Sequence, residues 1–142
     1  MSIIEIISKL WKNKKLPIIN GMIKSDGSFY ELDSNGLRLS TLEVRDYGKW
    51  HSSIIEIAFL KHLGVTYYCG EGSHGSDGWV LAIDSDNKIK WLFFGEANPL
   101  ERLWVQDDEL HVMSNLNAEW IFPISEPEKL YFIGKPFEYN KI

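Results

Sequence analysis

The sequence predicts a mainly β, α+β fold: an antiparallel β-meander of repeated hairpins, blade-like in outline, with one N-terminal amphipathic helix. Three observations predict it. Apolar spacing is helical only over the first dozen residues and has a period of two afterwards. Short acidic turn sequences recur between alternating segments. Six Trp, six Tyr and seven Phe make 13% of the chain aromatic, and such residues favour pleated, half-buried surfaces.

The helix is expected over residues 3–13. Ser2-Ile3-Ile4-Glu5 matches a capping box, and Ile3, Ile4, Ile7, Leu10 and Trp11 follow helical spacing. Lys12, Lys14 and Lys15 suit the negative end of the helix dipole, and Pro17 closes the segment. The apolar stripe should pack on the sheet, because its polar face is too weakly basic for a membrane surface.

Hairpins are expected over about residues 18–133. Ser28–Leu32 and Leu37–Thr41 flank Asp33-Ser34-Asn35-Gly36, where Asn-Gly is the strongest short-range hairpin signal. Trp79–Ile83 and Lys88–Phe94 flank Asp84-Ser85-Asp86-Asn87, and Leu103–Val105 and Leu110–Met113 flank Gln106-Asp107-Asp108-Glu109. Glu119–Ile124 and Lys129–Ile133 form a fourth pair around Pro127. Four hairpins cannot close a propeller, so a twisted open sheet or a single blade-like fragment is expected. Pro123 suggests an edge strand, and residues 134–142 read as a C-terminal tail.

Residues 50–70 carry two patterns. Ser53-Ile54-Ile55-Glu56 with Lys61, His62 and Gly64 would suit a helix. Alternating Ile55, Ile57 and Phe59, followed by β-prone Val65–Cys69, favour a hairpin turning at His62-Leu63-Gly64. The hairpin is the preferred expectation. The segment from Gly70 to Gly78 has four glycines in nine residues and is expected to be a loop.

At 142 residues the chain suits one domain, and such a domain buries roughly two-thirds of its unfolded surface without needing disulfides or metals. The lone Cys69 permits no internal disulfide and reads as a buried core thiol. The N-terminus lacks a basic region and a small-residue cleavage site, and no apolar run approaches the ~20 residues that span a bilayer. A cytoplasmic protein is expected. Net charge is −5 and uneven: residues 1–69 carry nine Lys/Arg against seven Asp/Glu, residues 70–142 six against thirteen. That acidic half disfavours nucleic acid, whose binding is driven by Lys and Arg. It suits a basic protein partner.

No motif assembles a catalytic site. The Gly-rich segment leads into Trp79 and a strand, not a helix N-terminus, so it is no phosphate cradle. Ser73, His74, Ser76 and Asp77 lie too close in sequence to form a triad with its oxyanion hole. Asp84-Ser85-Asp86-Asn87-Lys88 lacks the Gly and distal Glu of a calcium loop, and Lys88 stands at a ligand position. His51, His62, His74 and His111 show no metal spacing, and His111 is expected to face solvent from a strand. Trp79, Trp91, Trp104 and Trp120 occupy strands and are expected in the core.

Gly70-Glu71-Gly72-Ser73, Gly75-Ser76-Asp77-Gly78-Trp79, Asn98-Pro99 and Trp120-Ile121-Phe122-Pro123-Ile124 with Pro127 give residues 67–133 a resemblance. The stretch resembles small bacterial immunity proteins of polymorphic or contact-dependent toxin systems. The resemblance implies a protein without catalysis that binds a toxin domain, often a basic nuclease, through a charged surface. The expected partner-binding residues are Glu71, His74, Asp77, Asp84, Asp86, Asp107, Asp108 and Glu109, with no cofactor, metal, nucleic acid or membrane involved. Two rivals stand beside this reading: a small enzyme using His74, and a structural or adaptor module pairing through an exposed edge strand.

Overall fold

Ser2 caps the helix α1 (Ile3–Lys12) by accepting the Glu5 N–H at its Oγ, 3.2 Å away, and Lys9 and Lys12 occupy the last turn. The computed structural model describes residues 2–41 and 50–134. The tail expected over 134–142 therefore lies outside the described residues apart from Gly134. The fold is mainly β with antiparallel sheets and one N-terminal helix. Its strands are β1 (Lys15–Pro17), β2 (Gly21–Lys24), β3 (Phe29–Asp33), β4 (Gly36–Ser40), β5 (His51–His62) and β6 (Val65–Gly72). They continue as β7 (Gly78–Asp84), β8 (Ile89–Gly95), β9 (Leu100–Gln106), β10 (Glu109–Ser114), β11 (Glu119–Pro123) and β12 (Tyr131–Ile133).

The strands form two sheets where the sequence suggested one meander. Eight strands run in the order β1-β5-β6-β7-β8-β2-β3-β4, and four in the order β12-β11-β10-β9. The four-stranded sheet is a sequential, blade-like meander. The larger sheet is not, because β2 inserts between β8 and β3. Three of the four β2 residues are buried, so the strand shows no alternation by which to recognise it. The rivalry over residues 50–70 resolves as a hairpin: Leu63 and Gly64 both take positive φ (49° and 80°), the left-handed pair that a two-residue β-turn requires.

Each face of the large sheet has its own core. Trp79, Leu81, Ile83, Leu92 and Phe94 pack with Ile3, Ile7 and Leu16 on the α1 side. Val80, Ala82, Trp91 and Phe93 face the small sheet, where Leu110, Val112, Trp120 and Phe122 meet them. Trp91 stacks on Phe122 at 5.1 Å, and Phe93 meets Phe122 edge-on at 5.4 Å. Strands β7 and β8 are thus covered on both sides, which explains their unbroken apolar runs.

Cys69 belongs to this inter-sheet core; burial pushes its thiol up to about 12, and the Sγ–H reaches the Leu100 carbonyl at 3.3 Å. Three of the four strand tryptophans are core residues as expected. Trp104 is not: Leu103 and Val105 beside it point to the inter-sheet core, so alternation turns it outward. Pro123 lies on β11, an interior strand, yet β12 pairs only Glu119–Ile121, so the proline stands past that pairing. Among the described residues no helix is long and apolar enough to cross a membrane.

Candidate functional site

The expected site residues fall into three places. Glu71, His74 and Asp77 lie around the β6–β7 connection, which is shorter than foreseen. β6 runs through Gly70 and Gly72, so only residues 73–77 form the loop. These two glycines are required by close approach. A Cβ on Gly70 would stand 2.0 Å from the Ile55 carbonyl oxygen, and one on Gly72 would stand 2.8 Å from the Asp77 Cβ. Glu71 is half-buried, and its carbonyl accepts the Trp79 Nε1–H at 3.1 Å. Asp77 is buried, with its Oδ2 2.9 Å from Nδ1 of the exposed His74. Ser52 Oγ accepts the Ser73 N–H at 3.0 Å, donates to the Ser53 carbonyl at 2.8 Å, and stands 2.9 Å from Ser73 Oγ. The hydroxyls therefore tie the loop to β5.

Asp84 and Asp86 occupy the opposite end of β7, about 20 Å away for a seven-residue strand. The Asp84 carboxylate is engaged by its own turn, accepting the N–H groups of Asp86 (2.9 Å) and Lys88 (3.0 Å). Lys61 and His62 share a groove with Asp84, and Lys24, Lys90 and His62 line the next one beside Trp91. Cations balance that end, so it is not an acidic surface.

Asp107, Asp108 and Glu109 belong to a different arrangement, the outward face of the small sheet. Asp107 and Asp108 form the exposed β9–β10 turn, both at positive φ (53° and 59°). This two-residue turn sets Trp104 opposite His111, and the later connections set His111 opposite Ile121 and Ile121 opposite Tyr131. These four residues form one row across all four strands, in which Ile121 is buried, Trp104 and His111 are half-buried and Tyr131 is exposed. The His111 ring stacks on Trp104 at 5.2 Å and 11°, and its Nδ1 lies 2.5 Å from Glu119 Oε1. At the next strand the Tyr131 hydroxyl donates to Glu109 Oε2 at 2.8 Å, and that bond holds the phenol above its ordinary range.

His111 does stand on an outward face, yet its side chain is only 13% exposed, because Trp104 and Glu119 cover it. Trp104, His111, Glu119 and Tyr131 were not singled out from sequence as a surface. The available signal was the Asp107-Asp108 turn, which places Trp104 against His111 once it is read as two residues long.

Residues 100–133, which build this sheet, hold seven Asp/Glu and two Lys/Arg, a balance of −5 equal to that of the whole chain. The face combines flat aromatic surfaces with carboxylates held in place by neighbours. Guanidinium and ammonium groups are recognised by this pairing, stacking on rings while bonding to carboxylates. Among the described residues no cluster of three or more His, Cys, Asp or Glu could hold a metal. Comparison with known protein families, with curated proteins and with solved structures finds no match.

Proposed function

We propose that the protein is a non-catalytic, cytoplasmic binding protein, an immunity protein that neutralises a cognate bacterial toxin by covering a basic domain of nuclease type. The observation that carries this reading is the concentration of the chain's net negative charge on the small sheet, whose outer face bears the row Trp104, His111, Ile121 and Tyr131. Aromatic anchors ringed by charge suit a protein partner, since buried aromatic groups supply affinity and outlying charges speed encounter. Asp107, Asp108 and Glu109 fit the second role. Glu71, His74, Asp77, Asp84 and Asp86 lie outside this face and are not part of the proposed interface.

The test is whether a large secreted protein is encoded immediately upstream of this chain's gene and whether the chain protects cells from its toxic domain, combined with association kinetics. Co-expression should rescue growth. The D107K/D108K variant should bind on the order of tenfold more slowly at low salt, with dissociation little changed. A wild-type chain that fails to protect, or an association rate indifferent to the double reversal, would sink the reading.

One observation favours an enzyme instead: the carboxylate of Asp77 holds His74 Nδ1 at 2.9 Å, as a base is held in a triad. The serine hydroxyls beside it are committed to each other and to backbone groups. H74A should leave protection intact, and its loss would transfer the function to this loop.

A further inference from the structure

Strand β5 is the longest in the protein, and β1 covers only its first part. The Ile54 N–H donates to the Lys14 carbonyl at 3.0 Å, and there the pairing ends. From Ile55 to His62 the strand pairs with β6 on one side, and among the described residues no strand pairs with the other. That edge is unusually apolar. Ile55 and Phe59 are each 60% exposed and Ile57 40%. Strand β9 packs close to β5 but does not pair with it, so among the described residues this edge keeps no strand partner, and such an edge is a template for another strand.

The ring contacts lead to the same place. Trp79, buried, meets Trp11 at 5.6 Å; Trp11 meets Tyr68 at 5.3 Å; Tyr68 meets Phe59 at 6.2 Å. The row runs from the core to the open edge and stops at Phe59, in solvent. A bulge at Ile57 sets what flanks it. Glu56, Phe59 and Lys61 oppose Gly70, Tyr68 and Thr66, which are evenly spaced on β6. Glu56 and Lys61 therefore stand one alternation either side of Phe59, on the same face of the sheet, with opposite charges.

We propose that a second copy of this chain occupies the edge, its β5 antiparallel to the first around a two-fold axis at Phe59. Only a like strand sees the symmetry of the pattern. The axis puts Phe59 against Phe59 of the second copy and continues the aromatic row across the seam. It puts Lys61 opposite Glu56 twice, and Leu60 beside Ala58. Bulges and charged residues usually guard an edge against pairing. Here the two charges attract across the two-fold and fix the register of an isologous contact. The seam uses residues of β5 and the proposed interface uses residues of the small sheet, so this inference does not rest on the proposed function.

The experiment is sedimentation equilibrium on the full chain, with circular dichroism on every variant to establish folding. The wild type should sediment as a dimer of the 16.4 kDa chain. K61E and E56K should each weaken dimerisation about tenfold, because each turns two attractive pairs repulsive, and E56K/K61E should return it to within about threefold of wild type. F59S should be a folded monomer. A wild type that stays monomeric up to about 100 μM overturns the proposal even if some other peptide binds the edge. So does a charge-swapped double variant that recovers nothing.

Discussion

The eight-stranded sheet is covered at its centre on both sides, and residues 1–99, which build it with α1, are close to neutral, with twelve Asp/Glu against eleven Lys/Arg. The four-stranded sheet packs its inner face on the large one, and residues 100–133, which build it, carry a balance of −5. Burial explains the contrast in part, since a strand enclosed on two faces has no position for a charge. It does not explain the excess of one sign on the small sheet. A solvated face is satisfied by mixed charges, and a one-signed face raises the energy of the compact state. The acidic excess is therefore something folding tolerates rather than requires, which is why the binding function is proposed there.

The comparison can be broken at the two faces of the small sheet itself. Phe122 points inward, fully buried, against Trp91 and Phe93. Phe122→Ala should cost about 3–5 kcal/mol, as large aromatic truncations in closed cores do. Trp104 points outward on the same sheet, and Trp104→Ala should cost about 1 kcal/mol or less while weakening partner binding. Urea denaturation of both variants tests this. Equal losses would mean that the outer face is structural, and would remove the physical basis for placing the interface there.

The sequence revealed local structure better than assembly. Asp33-Ser34-Asn35-Gly36 announced its hairpin but not its register: Asp33 stands opposite Gly36, so Ser34 and Asn35 make the turn and the positive φ falls on Gly36 (117°) instead of on an Asn-Gly pair. Period-two alternation says which residues share a face but not which sheet that face meets, so the division into two sheets was invisible. β2 was missed because nearly all of it is buried. Part of the site was legible and went unread. The β6–β7 loop and the β7–β8 turn flank one strand, so Asp77 and Asp84 must lie at opposite ends of it. The contact between Glu109 and Tyr131 was not legible, because it depends on how the 3-10 turn Pro127–Lys129 returns the chain to β12.

A smaller effect sharpens the comparison at the β9–β10 turn. Left-handed φ at two successive residues suits Asn and Gly, and aspartate adopts it at some cost. D107N/D108G keeps the turn, relieves the second position and removes two like charges. It should raise stability by about 1 kcal/mol while slowing association at low salt. Stability gained together with on-rate lost would show acidic residues held against the preference of their own backbone. An unchanged on-rate would leave the charges without a role in encounter.

The smallest effect concerns what joins the sheets. Lys24 on β2 donates to Glu128 Oε1 at 2.9 Å from beneath the small sheet, and both side chains are partly exposed (26% and 19%). The hydrogen bond to Glu128 raises Lys24 above its ordinary 10.5. For Glu128, burial alone would raise the carboxyl, but the Lys24 hydrogen bond, a backbone hydrogen bond and the nearby ammonium groups outweigh it and hold it below 4.5. The depressed acid contributes stability that is complete above about pH 4.5 and lost as pH falls through its folded value. The raised base contributes stability that is complete below about pH 10.5 and lost above it. Between those limits Glu128→Gln should cost a few tenths to about 1 kcal/mol, the range of a solvent-screened pair. The difference between wild type and variant should shrink at both extremes. Chemical denaturation from acid to alkaline pH measures it, and a difference that stays flat throughout would mean that packing alone, without this ion pair, joins the two sheets.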